Sequence, residues 1–82
     1  MSAVRGDARM RESIARRVRG IRRDLGLSQA ALAARLGVTQ ASVHNYERGK
    51  RDLPLPVAIQ IAGLSEVSLD VLVHGKRQGA AA

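Results

Sequence analysis

Four polar side chains between positions 40 and 45 carry hydrogen-bonding groups that suit base edges: Gln40, Ser42, His44 and Asn45. The amides of Gln and Asn can bond adenine in bidentate fashion, and a Ser hydroxyl can bond several bases. Ala41 lies among them and offers a methyl contact. If one helix face presents these residues, that face can read sequence in the major groove of DNA. Lys50 and Arg51 follow closely and suit phosphates, which carry no sequence identity.

Presenting those side chains requires a helix that begins near Gln40, and the stretch SQAALAARLGVTQASVHNYER, residues 28–48, predicts one. Ser28 and Thr39 are suited to cap two short helices, and Gly37 between them permits a left-handed turn. The apolar residues that recur at helical spacing are Leu32, Ala33, Leu36, Val43 and Tyr46, and Val38 fills the turn. The pattern predicts a helix-turn-helix; the alternative is an ordinary pair of helices with a solvated polar face.

The charge of the chain favours a polyanionic partner. Its 82 residues carry a net charge of +7, and residues 1–25 hold eight arginines against three acids. Nucleic acid is the first expectation and an anionic membrane surface the second. A membrane helix needs large apolar groups opposite its cations, but the apolar face here, Ile14, Val18 and Ile21, is needed for the core. DNA binding is therefore favoured over a solvated helix pair or a membrane surface.

Length and composition predict one small all-α domain at residues 9–75. Residues 1–8 are predicted to be a flexible basic arm, with simple disorder as the alternative, and residues 76–82 a disordered tail. No cysteine is present, which excludes disulfides and thiolate metal sites. No run reaches the roughly 18 apolar residues of a membrane span, and no signal peptide is evident, so a cytoplasmic protein is expected.

The first helix is predicted from Arg9 or Arg11 to Leu25. Its apolar stripe is Met10, Ile14, Val18, Ile21 and Leu25. Gly20 inside this helix is unfavourable, and close approach of a neighbouring helix is one explanation. Gly26 then ends the helix as a left-handed cap, and Leu27 turns into the core.

Two further helices are predicted after the helix-turn-helix. Gly49 closes the third helix, and Lys50 and Arg51 lie in an exposed loop. Pro54 or Pro56 begins the fourth helix, whose expected core residues are Leu55, Ala58, Ile61 and Ala62. Ser68 caps a fifth helix that Gly75 ends, and its apolar residues are Leu69, Leu72 and Val73.

These motifs resemble the phage Cro/repressor family, also called the XRE family of bacterial transcriptional regulators. The motifs that carry the resemblance are LGLSQAALAARLGV, TQASVHNYERGKR and VSLDVLVHG, and the match runs from about Ile14 to Gly75. The resemblance implies a five-helix, lambda-repressor-like fold whose third helix lies in the major groove. It also implies two copies on a palindromic operator of double-stranded DNA, in the bacterial cytoplasm.

The resemblance assigns roles to particular residues. Gln29 contacts a phosphate and braces the recognition helix, and Arg22 and Glu47 form a partly buried ion pair between the first and third helices. The predicted base-reading residues are Gln40, Ala41, Ser42, His44 and Asn45. The resemblance implies phosphate contacts from Gln29, Arg48, Lys50 and Arg51. The sequence itself adds Ser28 and Thr39 at the helix starts, and Arg17 from the first helix, whose arginines otherwise form a solvated face.

This sequence departs from the family pattern in three places. Ala41 is short where many relatives have a polar reader, and Ala58 replaces a larger aliphatic residue, which implies a thinner core. Ser65 and Glu66 stand where Leu-Gly usually precedes the fifth helix.

No catalytic, metal or cofactor site is predicted, so the chain is not expected to be an enzyme. His44 and His74 are far apart and lack a metal-binding spacing, and no phosphate-binding glycine loop is present. His44 is expected on the outer face of the recognition helix and His74 near the end of the fifth. Tyr46 is expected in the core, with a phosphate contact from its hydroxyl as the alternative.

Two function classes remain open at this point. The first is a sequence-specific regulator of transcription, a repressor. The second is an antitoxin-type module that binds a protein partner, such as a toxin, and represses its own operon. A homodimer on DNA is expected through Leu69, Leu72 and Val73 of the fifth helix with nearby residues of the fourth, as a weak contact that DNA strengthens. Sealing of the core is the alternative role of these three residues.

Overall fold

The computed structural model describes residues 3–4 and 8–75, and this part of the chain contains five helices. They are α1 (Ala8–Asp24), α2 (Gln29–Leu36), α3 (Gln40–Glu47), α4 (Leu55–Ser65) and α5 (Leu69–His74). Two strands of two residues each, β1 (Ala3–Val4) and β2 (Leu53–Pro54), complete the elements. The expectation of an all-α domain with five helices is confirmed.

Side-chain caps set the starts of three helices, as the sequence predicts. Ser28 Oγ accepts from the Ala31 N–H at 3.0 Å, and Thr39 Oγ1 accepts from the Ser42 N–H at 3.0 Å. The Ser68 hydroxyl caps α5 in the same way. Each bond satisfies a backbone donor that the first helical turn leaves without an intrahelical partner.

The turn between α2 and α3 is left-handed at Gly37, whose φ is 71°. A residue with a Cβ is disfavoured there, so glycine makes this sharp turn possible. Val38 follows it and packs against the core. The predicted helix-turn-helix is therefore present, with its second helix beginning at Gln40.

The core is aliphatic except for Tyr46, which is buried as predicted. Helices α1 to α5 and strand β2 all contribute side chains to it. The buried hydrophobic residues of this cluster are Ile14, Val18, Leu32, Ala33, Leu36, Val43, Tyr46, Leu53, Val57, Ala58, Ile61, Ala62 and Leu72. Burial of these side chains is the main force that holds the short helices together.

Three expectations about packing are wrong. Leu25 and Leu55, expected in the core, are each more than a third exposed, and Val57 and Leu53 are buried instead. Leu25 lies beyond the end of α1, where the helical periodicity no longer applies. Nothing lies within 4 Å of a Cβ placed on Gly20, so this glycine does not allow the close approach of another helix.

Part of the predicted arm belongs to the fold. Ala3–Val4 pairs antiparallel with Leu53–Pro54, with Val4 opposite Leu53. The prediction of a flexible arm is therefore wrong for these two residues, and α1 already begins at Ala8. The rest of the predicted arm and the predicted tail, residues 76–82, lie outside the described residues.

The turn before α5 is built without the usual glycine. Glu66 caps α4 in the left-handed conformation, with φ of 59°, and its N–H donates to Gly63 O at 3.3 Å. The next N–H, of Val67, donates to Ala62 O at 3.1 Å. The turn keeps the hydrogen bonds of a left-handed helix cap although an L residue is strained there.

Candidate nucleic-acid interface

Helix α3 presents its polar side chains outward because its apolar residues anchor it in the core. Val43 and Tyr46 are buried at the spacing of one helical face. On the other sides of α3, Gln40, Ala41 and His44 are exposed, and Ser42 and Asn45 are half-buried. All five predicted base-reading residues are thus on one short helix with an accessible surface.

The carboxylate of Glu47 fixes α3 from behind. The Glu47 residue is only 3% exposed. Arg22 Nε donates to its Oε2 at 2.6 Å and Arg22 Nη2 donates to its Oε1 at 3.1 Å. Gln29 Nε2 donates to the same Oε1 at 3.1 Å. One carboxylate therefore joins α1, α2 and α3, and Gln29 braces the recognition helix.

The ion pair also fixes the state of Arg22. Its hydrogen bonds to the Glu47 carboxylate raise the pKa of the Arg22 guanidinium above its ordinary value; Coulombic attraction acts in the same direction and burial opposes it. The guanidinium therefore stays charged, and its Nη1 also donates to Leu27 O at 2.9 Å. Such bidentate pairing holds both side chains in one geometry.

Polar groups also gather at the N-termini of the two helices. Ser28 and Gln29 lie at the start of α2, and Thr39 lies at the start of α3, where its hydroxyl donates to Ser42 Oγ at 2.9 Å. Helix N-termini carry partial positive charge and outward N–H groups, which suit anions. Both termini belong to the helix-turn-helix itself.

Cations flank the outer side of α3. Arg51 reaches back from the loop, so that its Nη1 lies 3.3 Å from Ser42 Oγ and its guanidinium lies 5.5 Å from the centre of the Tyr46 ring. Arg48 Nη1 lies 3.4 Å from His44 Nε2. Lys50 is exposed. The loop after α3 therefore places positive charge beside the polar residues of the helix.

Two of the predicted site residues have other positions. Arg17 Nη1 donates to Leu72 O and Val73 O, both at 3.0 Å, so its guanidinium binds the C-terminal end of α5 and is not aimed outward with α3. Leu72, predicted as a dimer contact, is fully buried and seals the core. Leu69 and Val73 are half-buried and pack against the core.

Sequence reasoning did not single out Arg19, and it expected a contact from the fourth helix without naming the exposed residues that form its apolar side. Arg19 Nη1 donates to Glu47 O at 3.2 Å, at the end of the recognition helix. Leu55 and Ile59, one helical turn apart on α4, are 36% and 54% exposed. Arginines recur along α1, so no signal in the sequence singles out Arg19. The helical spacing of Leu55 and Ile59, in contrast, can be read from the sequence.

The described residues offer little for other chemistry. In residues 8–75, no three His, Asp or Glu side chains come together in a way that could hold a metal ion. His74 lies 3.8 Å from Asp70, both on the surface of α5. Among the described helices, none is both long and apolar enough to cross a membrane.

Comparisons with known proteins agree on one class of protein. A protein of Pyrobaculum aerophilum named as an HTH-type transcriptional regulatory protein is 40% identical over 48 residues, which are 58% of this chain. This chain spans only 19% of that relative's length.

Two solved structures share the fold over nearly their whole length. The restriction-modification controller protein C.AhdI from Aeromonas hydrophila is 29% identical with a TM-score of 0.68, and the likeness covers 76% of this chain and 94% of that one. The P22 c2 repressor, solved in complex with a synthetic operator, is 25% identical with a TM-score of 0.71, and the likeness covers 77% and 96% of the two chains.

The family model described as HTH_3, helix-turn-helix, matches residues 18–72, from the middle of α1 into α5. This range contains the capped helix pair, the outward face of α3 and the loop cations. The family and the fold are those of DNA-binding regulators rather than enzymes. The chain therefore belongs to the helix-turn-helix family of DNA-binding transcriptional regulators of the Cro/repressor, or XRE, type.

Proposed function

We propose that this protein is a repressor that reads a palindromic operator in the cytoplasm with two copies of α3. The observation that carries the proposal is the arrangement of α3: polar side chains outward, loop cations beside them, and a buried carboxylate that holds the helix from behind. A helix fixed in this way can enter the major groove without rearrangement.

Base reading is assigned first to Gln40 and Asn45. Gln40 is exposed in the first turn of α3, the end that enters the groove deepest in this fold. Both amides can bond adenine N6 and N7. The hydroxyl of Ser42 already bonds Thr39 and faces Arg51, so Ser42 supplements the two amides. Ala41 contributes a methyl contact, and His44 lies at the edge of the reading face.

Binding of the DNA backbone is assigned to the loop cations and to the N-termini of α2 and α3. Arg48, Lys50 and Arg51 lie beyond the end of α3, where the sugar-phosphate chain borders the groove. Ser28, Gln29 and Thr39 lie at N-termini whose N–H groups suit phosphates. Such contacts set the position of the protein on the duplex and carry no sequence information.

Dimerisation is assigned to the exposed apolar side of α4, supplemented by Leu69 and Val73 of α5. Leu72 is excluded because it is fully buried. A single recognition helix reads few base pairs, so a two-fold pair of domains on half-sites about one helical turn apart is needed for specificity.

The test compares a residue assigned to a base contact with a residue assigned to a phosphate contact. Gln40→Ala is expected to cost about 1–3 kcal/mol on the selected operator and little on random duplex. Lys50→Ala is expected to weaken binding to both duplexes by similar factors and to make the dependence of log K on log salt shallower by about one unit. The measurement is affinity for each duplex across a salt series, after selection of an operator from random DNA.

Two results would contradict these assignments. Equal losses on both duplexes for Gln40→Ala would reduce Gln40 to a structural role. If Lys50→Ala leaves the slope of log K against log salt unchanged, Lys50 of the loop does not contact the DNA backbone. Both results together would mean that another face of the domain binds DNA.

A further inference from the structure

A cleft of about 380 Å³ lies between residues 8–19 of α1 and the C-terminal end of α3 with the loop that follows it. Arg16 and Arg19 line it from α1, and Arg48 and Lys50 line it from the other side. The two walls approach closely at Gly49, since a Cβ placed there would lie 3.5 Å from the Glu12 backbone. The cleft is thus bounded on one side by the contact between α1 and the loop.

The cleft carries a net positive charge. Four cations line it against two acids, Glu12 and Glu47. The Glu47 carboxylate is already neutralised by Arg22. Within residues 8–75, no carboxylate forms an ion pair with any of the four lining cations, whereas Arg11 and Arg22 do have such partners. A concave site with this surplus attracts an anion.

One wall of the cleft is held in position. Arg19, which lines the cleft, donates from its Nη1 to Glu47 O at 3.2 Å and keeps further N–H groups that can bind an anion. Guanidinium groups bind the oxygens of a phosphate through two N–H groups at once, and ammonium groups bind them as point charges. The chemistry of the walls therefore suits a phosphate.

The cleft adjoins the reading face of α3. Arg48 lines the cleft, and its Nη1 lies 3.4 Å from the ring of His44 on the outer side of the helix. A recognition helix that lies in the groove contacts the base edges with its N-terminal residues, so its C-terminal end is farther from the bases and nearer the DNA backbone.

We propose that this cleft binds one phosphodiester of the DNA backbone, with Arg16 and Arg19 as phosphate contacts that complete a clamp with Arg48 and Lys50. The proposal rests on the proposed function, because α3 must lie in the groove for the backbone to reach the cleft. It extends the contact surface from the helix-turn-helix to Arg16 and Arg19 of α1.

The test uses Arg16→Gln, which removes one charge from an exposed side chain, and Arg35→Gln, which removes one from the exposed side of α2 away from the cleft. Between 50 and 200 mM salt, the wild-type protein is expected to lose about 3.5-fold more of its DNA affinity than Arg16→Gln does, the amount that one phosphate contact contributes. Arg35→Gln is expected to lose the same fraction of its DNA affinity over this salt range as the wild type does. Equal slopes for all three proteins on DNA that the wild type binds would overturn the proposal and leave the proposed function standing.

A second experiment locates the phosphate. Operator duplexes that carry one uncharged methylphosphonate are tested along the backbone that borders each half-site. At one position the substitution is expected to weaken the wild type and to leave Arg16→Gln unaffected, because the contact is already lost. If no position behaves in this way, the cleft does not hold the backbone.

A third arm separates DNA from free phosphates. Pyrophosphate is titrated into the protein alone, with amide chemical shifts as the readout. Saturable binding below millimolar concentration that Arg16→Gln abolishes, together with an unchanged DNA salt slope, would assign the cleft to a small phosphorylated ligand and overturn the proposal. Weak, unsaturated shifts are expected if the DNA backbone is the ligand.

Discussion

Glu47 is the residue on which the arrangement of the first three helices depends most. Glu47→Ala leaves the half-buried Arg22 guanidinium without its partner and Gln29 without its acceptor. Breaking a buried pair costs about 3–5 kcal/mol, a large part of the stability of a small domain. We expect a clear fall in the melting temperature, measured by circular dichroism.

The control for this prediction is Asp24→Ala, which removes an exposed acid at the end of α1. Exposed positions of this kind change stability by about 0.5 kcal/mol or less. Equal melting temperatures for the two variants would show that the Glu47 carboxylate contributes no net stability.

At the residue scale, the sequence predicted which polar side chains lie on the outer side of α3, but it did not predict what the arginines of α1 bind. The family resemblance placed Arg22 beside Glu47, where the structure has it. Arg17 and Arg19 instead donate to backbone carbonyls of remote elements, at Leu72, Val73 and Glu47. A carbonyl acceptor leaves no mark in the sequence, so eight arginines near the start of the chain cannot be told apart by type or charge.

Helix α1 can be stabilised at one interior position. Gly20 lies in the middle of the helix, and an added Cβ would meet nothing within 4 Å. Gly20→Ala is therefore expected to stabilise the domain by about 1 kcal/mol, the difference in helix propensity. Chemical denaturation should show a higher midpoint with an unchanged slope.

The matched substitution Gly37→Ala should have the opposite sign. Gly37 has the same open surroundings but a φ of 71°, which a Cβ disfavours. A loss of stability at Gly37 beside a gain at Gly20 would identify backbone conformation as the cause. A loss at Gly20 would mean that α1 needs a flexible point there.

At the element scale, local signals predicted the helix starts and long-range packing decided the rest. The caps Ser28, Thr39 and Ser68 act within three residues of themselves, and their signal is therefore contained in a short stretch of sequence. In α4 the expected core residues Ala58, Ile61 and Ala62 are buried, whereas Leu55, the first residue of the helix, is exposed. Which side of α4 faces the core depends on its contacts with α1, α2 and α5.

The pairing of β1 with β2 shows the same limit. Two residues near the start of the chain join two residues that lie about fifty positions later. Neither strand has enough residues to show the alternation typical of a strand. Such a ladder depends on the rest of the fold to bring its two halves together.

The assembled molecule on DNA is expected to be a dimer that uses the exposed side of α4. Ile59→Ser removes an apolar side chain that is 54% exposed, so the fold should be retained. Sedimentation with a two-half-site operator should show two protein copies per duplex for the wild type. For Ile59→Ser, most duplexes should carry only one copy under the same conditions. Affinity for a single half-site should not change.

Gln60→Ser, at the neighbouring exposed position, is the control and should behave as the wild type does. One copy per two-site duplex for the wild-type protein would exclude the dimer. If Ile59→Ser still binds as two copies per duplex, the dimer contact is assigned to α5. The exposed side of α4 would then be available to another protein, such as a toxin.

The shared carboxylate of Glu47 has a consequence for the entropy of DNA recognition. Because it holds α1, α2 and α3 together before DNA is present, the protein has little conformational freedom left to lose when α3 enters the groove. Binding that needs no ordering of the protein retains more of its contact energy as affinity. The heat-capacity change of association should then reflect only the surface that meets DNA, without a folding contribution.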